Sequence, residues 1–368
     1  MPFSAIGTYA CRALQAQLIE FYGNNAAEFR TLGSIGLLKF LKSPQNTRGF
    51  RQIDVESIPG KKRAIAMMID NPFCFDICSL AADCNTTRIE NSNPAQEVVY
   101  DLTSDPYRVC NNDSGPNSPE VLTFDEEDLM RYCTITDFSY ITRQIARYNK
   151  RFIESLDARI ATLAAAAVGT NGAGEATTDL KFFTTNADTG QSNLNATAIF
   201  FLNQFWKDAG NDGQFALLGG QELAMIAEFK KWQGLNAMGV DLNNLDEEIP
   251  FIYYDRNFDS ELGASDFLQV APGAMQLVTW NKFKGEKRRS ITDLYTHGTF
   301  IDPATGIEVD YMWYFDYKCG KWTYEPFLYA ELAVNAPGGC GDNLEGVNGL
   351  IRVHDCSDAA VPMCESGS

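Results

Sequence analysis

The stretch "CFDICSLAADC" places Cys74, Cys78 and Cys84 within eleven residues, close enough to hold a metal, exchange disulfides or form a staple. Zinc sites combine a tight Cys-x2-Cys pair with a second such pair or with histidines. Here the spacings are Cys-x3-Cys and Cys-x5-Cys, with no second tight pair and no histidine nearby. That argues against zinc and against thioredoxin-like chemistry. Small buried cysteines and disulfides formed late both remain. Cys110 lies in the turn-rich "VCNNDSGPNSPE", and Cys340, Cys356 and Cys364 crowd a polar C-terminal stretch. Such settings are poor for apolar burial and good for staples. The disulfide candidates are therefore Cys74, Cys78, Cys84, Cys110, Cys340, Cys356 and Cys364.

Other chemistry is sparse. His297 and His354 are the whole supply of the commonest acid–base side chain, and neither has a neighbouring motif that suggests a triad. "DRNFDSE" sets Asp255, Asn257, Asp259 and Glu261 at alternating positions, like the start of a calcium loop. The glycine that such a loop needs at its sixth position is Ser260, and Asp266 stands where its twelfth-position glutamate belongs. "GTNGAGE" (169–175) is glycine-rich, but it follows a helix pattern rather than a strand and lacks the Lys-Ser/Thr of a phosphate loop. The sequence thus assigns no catalytic residue, no metal and no cofactor, and the expectation is a protein that is not an enzyme.

Composition narrows the class further. The 368 residues carry 48 acids against 30 Lys and Arg, a net charge of −18. Affinity for nucleic acid rests on cations that neutralise phosphates, so DNA binding is not expected as the main task. The opening "MPFSAIGTYACRALQAQLIEF" shows no charged leader ahead of an apolar core, which predicts no export signal. No run approaches the roughly 18 apolar residues of a membrane span.

The elements that must position these residues begin with an arm, 1–60, containing an amphipathic helix pattern at 8–22 and a weaker one at 27–42. Basic residues run from Lys39 to Lys62 and read as a solvated loop face. Residues 61–124 look like a strand excursion: "KKRAIAMMID" and "QEVVYDLT" are rich in strand formers and are separated by turn chemistry. With little apolar material of its own, this region should lie against something else. "FDEEDLMRYC" starts a new element, with Asp125 to Asp128 placed where a helix N-terminus favours acids.

From Asp137 to Val168, Phe138, Ile141, Ile145, Tyr148, Phe152, Leu156, Ile160, Leu163 and Ala167 recur every three or four residues. Asp137 can cap the start and Gly169 supplies a stop, which predicts a rod of roughly 48 Å. Arg143, Arg147, Lys150, Arg151 and Arg159 decorate it and read as a solvated or subunit-pairing face rather than a DNA reader. Residues 195–335 then alternate helix and strand, ending in a ribbon where Ile307, Val309, Tyr311, Trp313, Phe315 and Tyr317 alternate strictly. "DPATG" and "KCGK" are its turns. The expected architecture is α+β, without the βαβαβ rhythm of a nucleotide-binding sheet.

From residue 125 onward this order of elements resembles the major capsid proteins of tailed bacteriophages, the Hong Kong 97-type fold. The resemblance is most specific in "IPFIYYDRNFD", "VAPGAMQLVTWNKFKG" and "GTFIDPATGIEVDYMWYFDYKCGKW", which look like capsid proteins of phages infecting Bacteroidetes. It implies an N-terminal arm (1–60), an extended β loop reaching a neighbour (61–124) and a peripheral domain with spine helix (125–194, helix 137–168). An axial domain with returning peripheral strands (195–335) follows, then a C-terminal extension (336–368) that the resemblance leaves unmatched. On this resemblance Phe138, Ile141, Ile145, Tyr148, Phe152, Leu156 and Ile160 form the assembly helix. The implied function is a structural subunit forming hexamers and pentamers of an icosahedral head around double-stranded DNA, without sequence-specific binding. The implied partners are further copies of the chain, a portal, and scaffolding or head-decoration proteins, with no membrane. The implied location is the virion, after assembly in the host bacterial cytoplasm. The alternatives are a non-viral nanocompartment shell of the same fold, or a secreted enzyme or binding module with no visible motif.

Overall fold

The computed structural model describes residues 35–44, 46–49, 51–55, 64–69, 96–101, 106–109, 120–125, 139–168, 177–185, 192–194, 198, 201–204, 206, 214–226, 251–284, 295–302, 304–334 and 349–355. The chain divides into two compact units that are discontinuous in sequence. One comprises residues 1–42, 101–160 and 277–331, the other residues 43–100, 161–276 and 332–368. Helix and sheet are mixed in the chain, as the alternating patterns predict.

The first unit is built on a helix and a sheet. The helix Ser139–Ala166 runs about 42 Å, and its residues up to 160 belong to this unit. Its 3.6-residue period puts Ile141, Ile145, Tyr148, Phe152, Leu156 and Ile160 on a buried face, with Arg143, Arg147, Arg151 and Arg159 exposed and Lys150 half-buried. Phe138, Asp137 and Gly169 lie outside the described residues, so the expected cap and stop do too. The sheet has four antiparallel strands in the order Tyr295–Ile301, Glu308–Asp316, Lys321–Phe327 and Leu122–Asp125.

In the ribbon Ile307, Val309, Tyr311 and Trp313 are buried, Phe315 is half-buried and Tyr317 is exposed. The alternation ends there because the backbone turns. Gly320 N donates to Asp316 O at 2.7 Å, Lys318 N donates to the Asp316 side chain at 2.9 Å, and Gly320 takes φ +65°. A stacked Trp313–Trp322 pair at 5.9 Å and Phe124 at 5.6 Å from Trp313 tie three strands together. One expectation fails here. Asp125 is the last residue of a strand, opposite Lys321 with its carboxylate 3.2 Å from the Lys321 ammonium, not the first turn of a helix. Leu122 and Phe124 alternate with Thr123 and Asp125 in the two-residue period of a strand, and the rest of the acidic run lies outside the described residues.

The second unit centres on a five-stranded mixed sheet in the order Thr177–Leu180, Leu350–Asp355, Asp266–Val270, Ala216–Gly219 and Phe251–Tyr254. Phe182, Trp206, Phe215, Phe267, Ile351 and Val353 form its apolar core. Helical residues 221–226 follow Ala216–Gly219 directly, with Leu223 and Ile226 buried in that core. Asp259 accepts a hydrogen bond from Gln221 N at 2.8 Å and so caps this helix from a distant segment. Only glycine fits beside that cap, because a Cβ on Gly220 would stand 1.8 Å from the Asp259 carboxylate.

A separate three-stranded sheet joins Arg51–Val55, Ala64–Ile69 and Gln96–Asp101, the first two antiparallel. Arg51–Val55, read from sequence as part of the arm, is thus a strand of the excursion's sheet. The C-terminal stretch yields a larger surprise. Leu350–Asp355 is no polar tail but an interior strand of the five-stranded sheet.

Candidate functional site

The resemblance implies a role in assembly for the long helix. Ile141, Ile145, Tyr148, Phe152, Leu156 and Ile160 are all buried within the single chain, so they hold the helix to its own fold. The remaining residue of that group, Phe138, lies outside the described residues. The buried face also carries two polar groups that periodicity does not ask for, Asn149 and Asp157, both fully buried. Asn149 accepts a hydrogen bond from the Tyr324 hydroxyl at 2.9 Å, which joins the helix to the third strand of the ribbon sheet. Tyr148 donates its hydroxyl to Glu120 O and packs edge-on against Tyr324 at 6.4 Å. Asp157 accepts from Leu38 N at 3.2 Å.

Four ionisable groups in the first unit sit where water is scarce. Burial pushes the Asp302 carboxyl up, against hydrogen bonds from Thr305 that favour its charged form. Burial likewise raises Asp310, which accepts from Thr299 Oγ1 at 2.6 Å and Phe283 N at 3.2 Å. Glu325 is raised by burial too, although Arg108 forms an ion pair with it and pulls the other way. Lys42 is lowered by burial, opposed by Glu308, which also pairs with Lys284 at 2.7 Å. Each of these charges is matched to a donor or a counter-charge within the fold. Desolvated polar groups are retained when so satisfied, and here they fasten loops and strands. Lys42 departs from the solvated face expected of the Lys39–Lys62 run: it is half-buried, whereas Lys39 is exposed.

The would-be calcium ligands do not converge. Asn257–Glu261 forms a helical turn rather than a coordinating loop. Asp255 is buried and accepts from Asn257 N at 3.0 Å, Asp259 caps the helix at Gln221, and Asp266 pairs with Arg352 and His354. Arg352 Nε lies 2.6 Å from Asp266, and its Nη2 also donates to Leu262 O at 2.7 Å. Among the described residues, no three His, Cys, Asp or Glu side chains form a metal-holding group.

His354 therefore shares Asp266 with Arg352, through contacts that clamp the Leu350–Asp355 strand beside Asp266–Val270. His297 is buried in the ribbon sheet, 4.1 Å from the Phe283 ring and 5.6 Å from Tyr295. The two histidines lie in different units.

The disulfide candidates Cys74, Cys78, Cys84, Cys110, Cys340, Cys356 and Cys364 all lie outside the described residues. Cys319, in the exposed ribbon turn, is a free thiol. No described helix is long and apolar enough to cross a membrane.

No protein-family model and no curated protein sequence matches the chain. Among solved structures it is similar to the capsid asymmetric unit of cyanophage A-1(L), at 9% identity and a TM-score of 0.47, over 89% of this chain and 94% of that one. It is also similar to a chain of Mycobacterium phage Bobi, at 10% identity and a TM-score of 0.39, over 85% and 91%. A third similar chain comes from a satellite phage P4 procapsid, at 10% identity and a TM-score of 0.33, over 83% of each.

Proposed function

We propose that this chain is the major capsid protein of a tailed bacteriophage, of the Hong Kong 97-type fold. It self-assembles into hexamers and pentamers that close an icosahedral head around double-stranded DNA. The order of elements carries this reading. A strand excursion is followed by one uninterrupted long helix, a mixed α/β unit and an aromatic antiparallel ribbon, the succession that the sequence resemblance implies. The excursion, poor in apolar residues by sequence, reaches a neighbouring copy, and the long helix with the ribbon sheet forms the peripheral domain. The strands Ala216–Gly219, Phe251–Tyr254 and Asp266–Val270 of the five-stranded sheet belong to the axial domain at capsomer centres. The buried Asn149–Tyr324 hydrogen bond and the ion pair of exposed Arg108 with buried Glu325 fit a subunit whose task is rigid geometry. Portal and scaffolding or head-decoration proteins complete the head, and the particle assembles in the bacterial cytoplasm.

Negative-stain microscopy of the purified native protein, with a parallel sample in reductant, tests this. Closed shells tens of nanometres across are expected, and particles that soften in reductant would add disulfides among the cysteine candidates. Discrete small oligomers in both samples, with the protein soluble and folded, would overturn the shell reading.

A further inference from the structure

The segment just before Ser43 is held in an unusual way. Gly36–Leu41 is a single helical turn and a half, with Gly36, Leu37, Leu38, Phe40 and Leu41 all buried. Six residues are far too few to be helical in water alone. Its own N-cap residue, Ile35, offers no side-chain oxygen to the first-turn amides. The acceptor comes instead from 119 positions downstream: Asp157, fully buried on the apolar face of the long helix, takes the Leu38 N–H at 3.2 Å. At the other end, burial lowers Lys42 against the pull of the Glu308 charge, and the Lys39 charge favours the ionised form of Asp302.

We propose that Gly36–Lys42 is a detachable strap and that Asp157 is the clasp positioning it, so that the strap docks and folds in one step. Asp157 reads a main-chain amide, which points at it only while the turn is helical, and that turn is helical only while its apolar side chains are buried. Neither half persists without the other. Once the strap leaves, five apolar or small residues meet water and the Asp157 carboxylate loses a donor while still inside the fold. Release of the strap is a local event that leaves the ribbon sheet in place. This holds whether or not the chain builds a shell.

Hydrogen exchange of the full-length protein, read by mass spectrometry, tests the clasp. In Asp157→Ala, amides of residues 37–42 should exchange about two- to thirtyfold faster, the range a lost helix cap produces, while those of 308–327 keep their wild-type rates. Asp157→Asn retains an acceptor oxygen and should recover most of the protection. Ile35→Thr supplies a local cap, so Asp157→Ala/Ile35→Thr should also slow exchange relative to Asp157→Ala. Equal acceleration in both segments would reduce Asp157 to a general core residue and overturn the strap. Unchanged exchange in Asp157→Ala would overturn the clasp. If Asp157→Ala fails to fold, Asp157→Asn and Ile35→Thr still decide: added protection confined to 37–42 in Ile35→Thr is expected, and none overturns the capping role.

Discussion

At the scale of single residues, the buried carboxylates are the informative ones, because desolvation and pairing oppose each other there. Glu325 has its carboxyl raised by burial despite Arg108. The folded chain therefore holds that proton more tightly than the unfolded chain does. The resulting stability is complete below the ordinary carboxylate range and is lost as pH rises through the raised value. Removing the cation deepens the problem. Arg108→Ala should cost about 1–3 kcal/mol at pH 7, since an ionised group is left buried without its partner. The loss should shrink in mild acid, as Glu325 takes up its proton, and Arg108→Ala/Glu325→Gln should regain part of it at pH 7. Urea unfolding at pH 5 and pH 7 checks all three. An equal loss at both pH values would mean that Arg108 acts through packing rather than through its charge.

At the scale of elements, the long helix and the ribbon sheet are joined by both apolar packing and a polar contact, and the two can be weighed. Phe152 is buried on the helix's apolar face, and replacing a buried phenylalanine with alanine costs about 3–5 kcal/mol. Tyr324→Phe removes only the hydroxyl that reaches Asn149 and should cost about 1 kcal/mol. Equilibrium unfolding of the two variants should therefore separate them clearly. Similar losses would mean that the Asn149 contact anchors the helix as strongly as its apolar face does. The helix was legible in the sequence because a three-to-four-residue apolar period over some thirty residues fits no other element. The strand at Leu350–Asp355 was not. Six residues flanked by glycine, serine and proline look like tail until a sheet with an open interior position takes them in. The alternation of Leu350, Arg352 and His354 with Ile351, Val353 and Asp355 was a faint signal, since Leu350, Ile351 and Val353 are all buried.

At the scale of the whole molecule, the net charge of −18 governs how copies approach one another. Like-charged subunits repel over roughly the Debye length, about 30 Å at 0.01 M salt and about 3 Å at 1 M. Association should thus increase with salt, as sedimentation velocity would show by a growing share of large species. Association that falls with salt would assign the contacts to opposite charges instead, with the exposed Arg143, Arg147, Arg151 and Arg159 as the first groups to reverse.

By itself the sequence determined the mixture of helix and sheet, the long helix, the ribbon with its turns, and the lack of a motif for catalysis, because each rests on local period, propensity or residue inventory. Only the tertiary structure decided where the odd polar residues go. Asp157 and Asn149 interrupt an apolar stripe, and Asp302 and Asp310 flank a hairpin. Their partners at Leu38, Tyr324, Thr305 and Thr299 are either distant in sequence or reached only after the backbone turns. The same holds for Asp266, which spacing offered as a calcium ligand and folding gave to Arg352 and His354. A carboxylate's chemistry depends on the donors within about 3 Å, and periodicity along a chain carries no information about those.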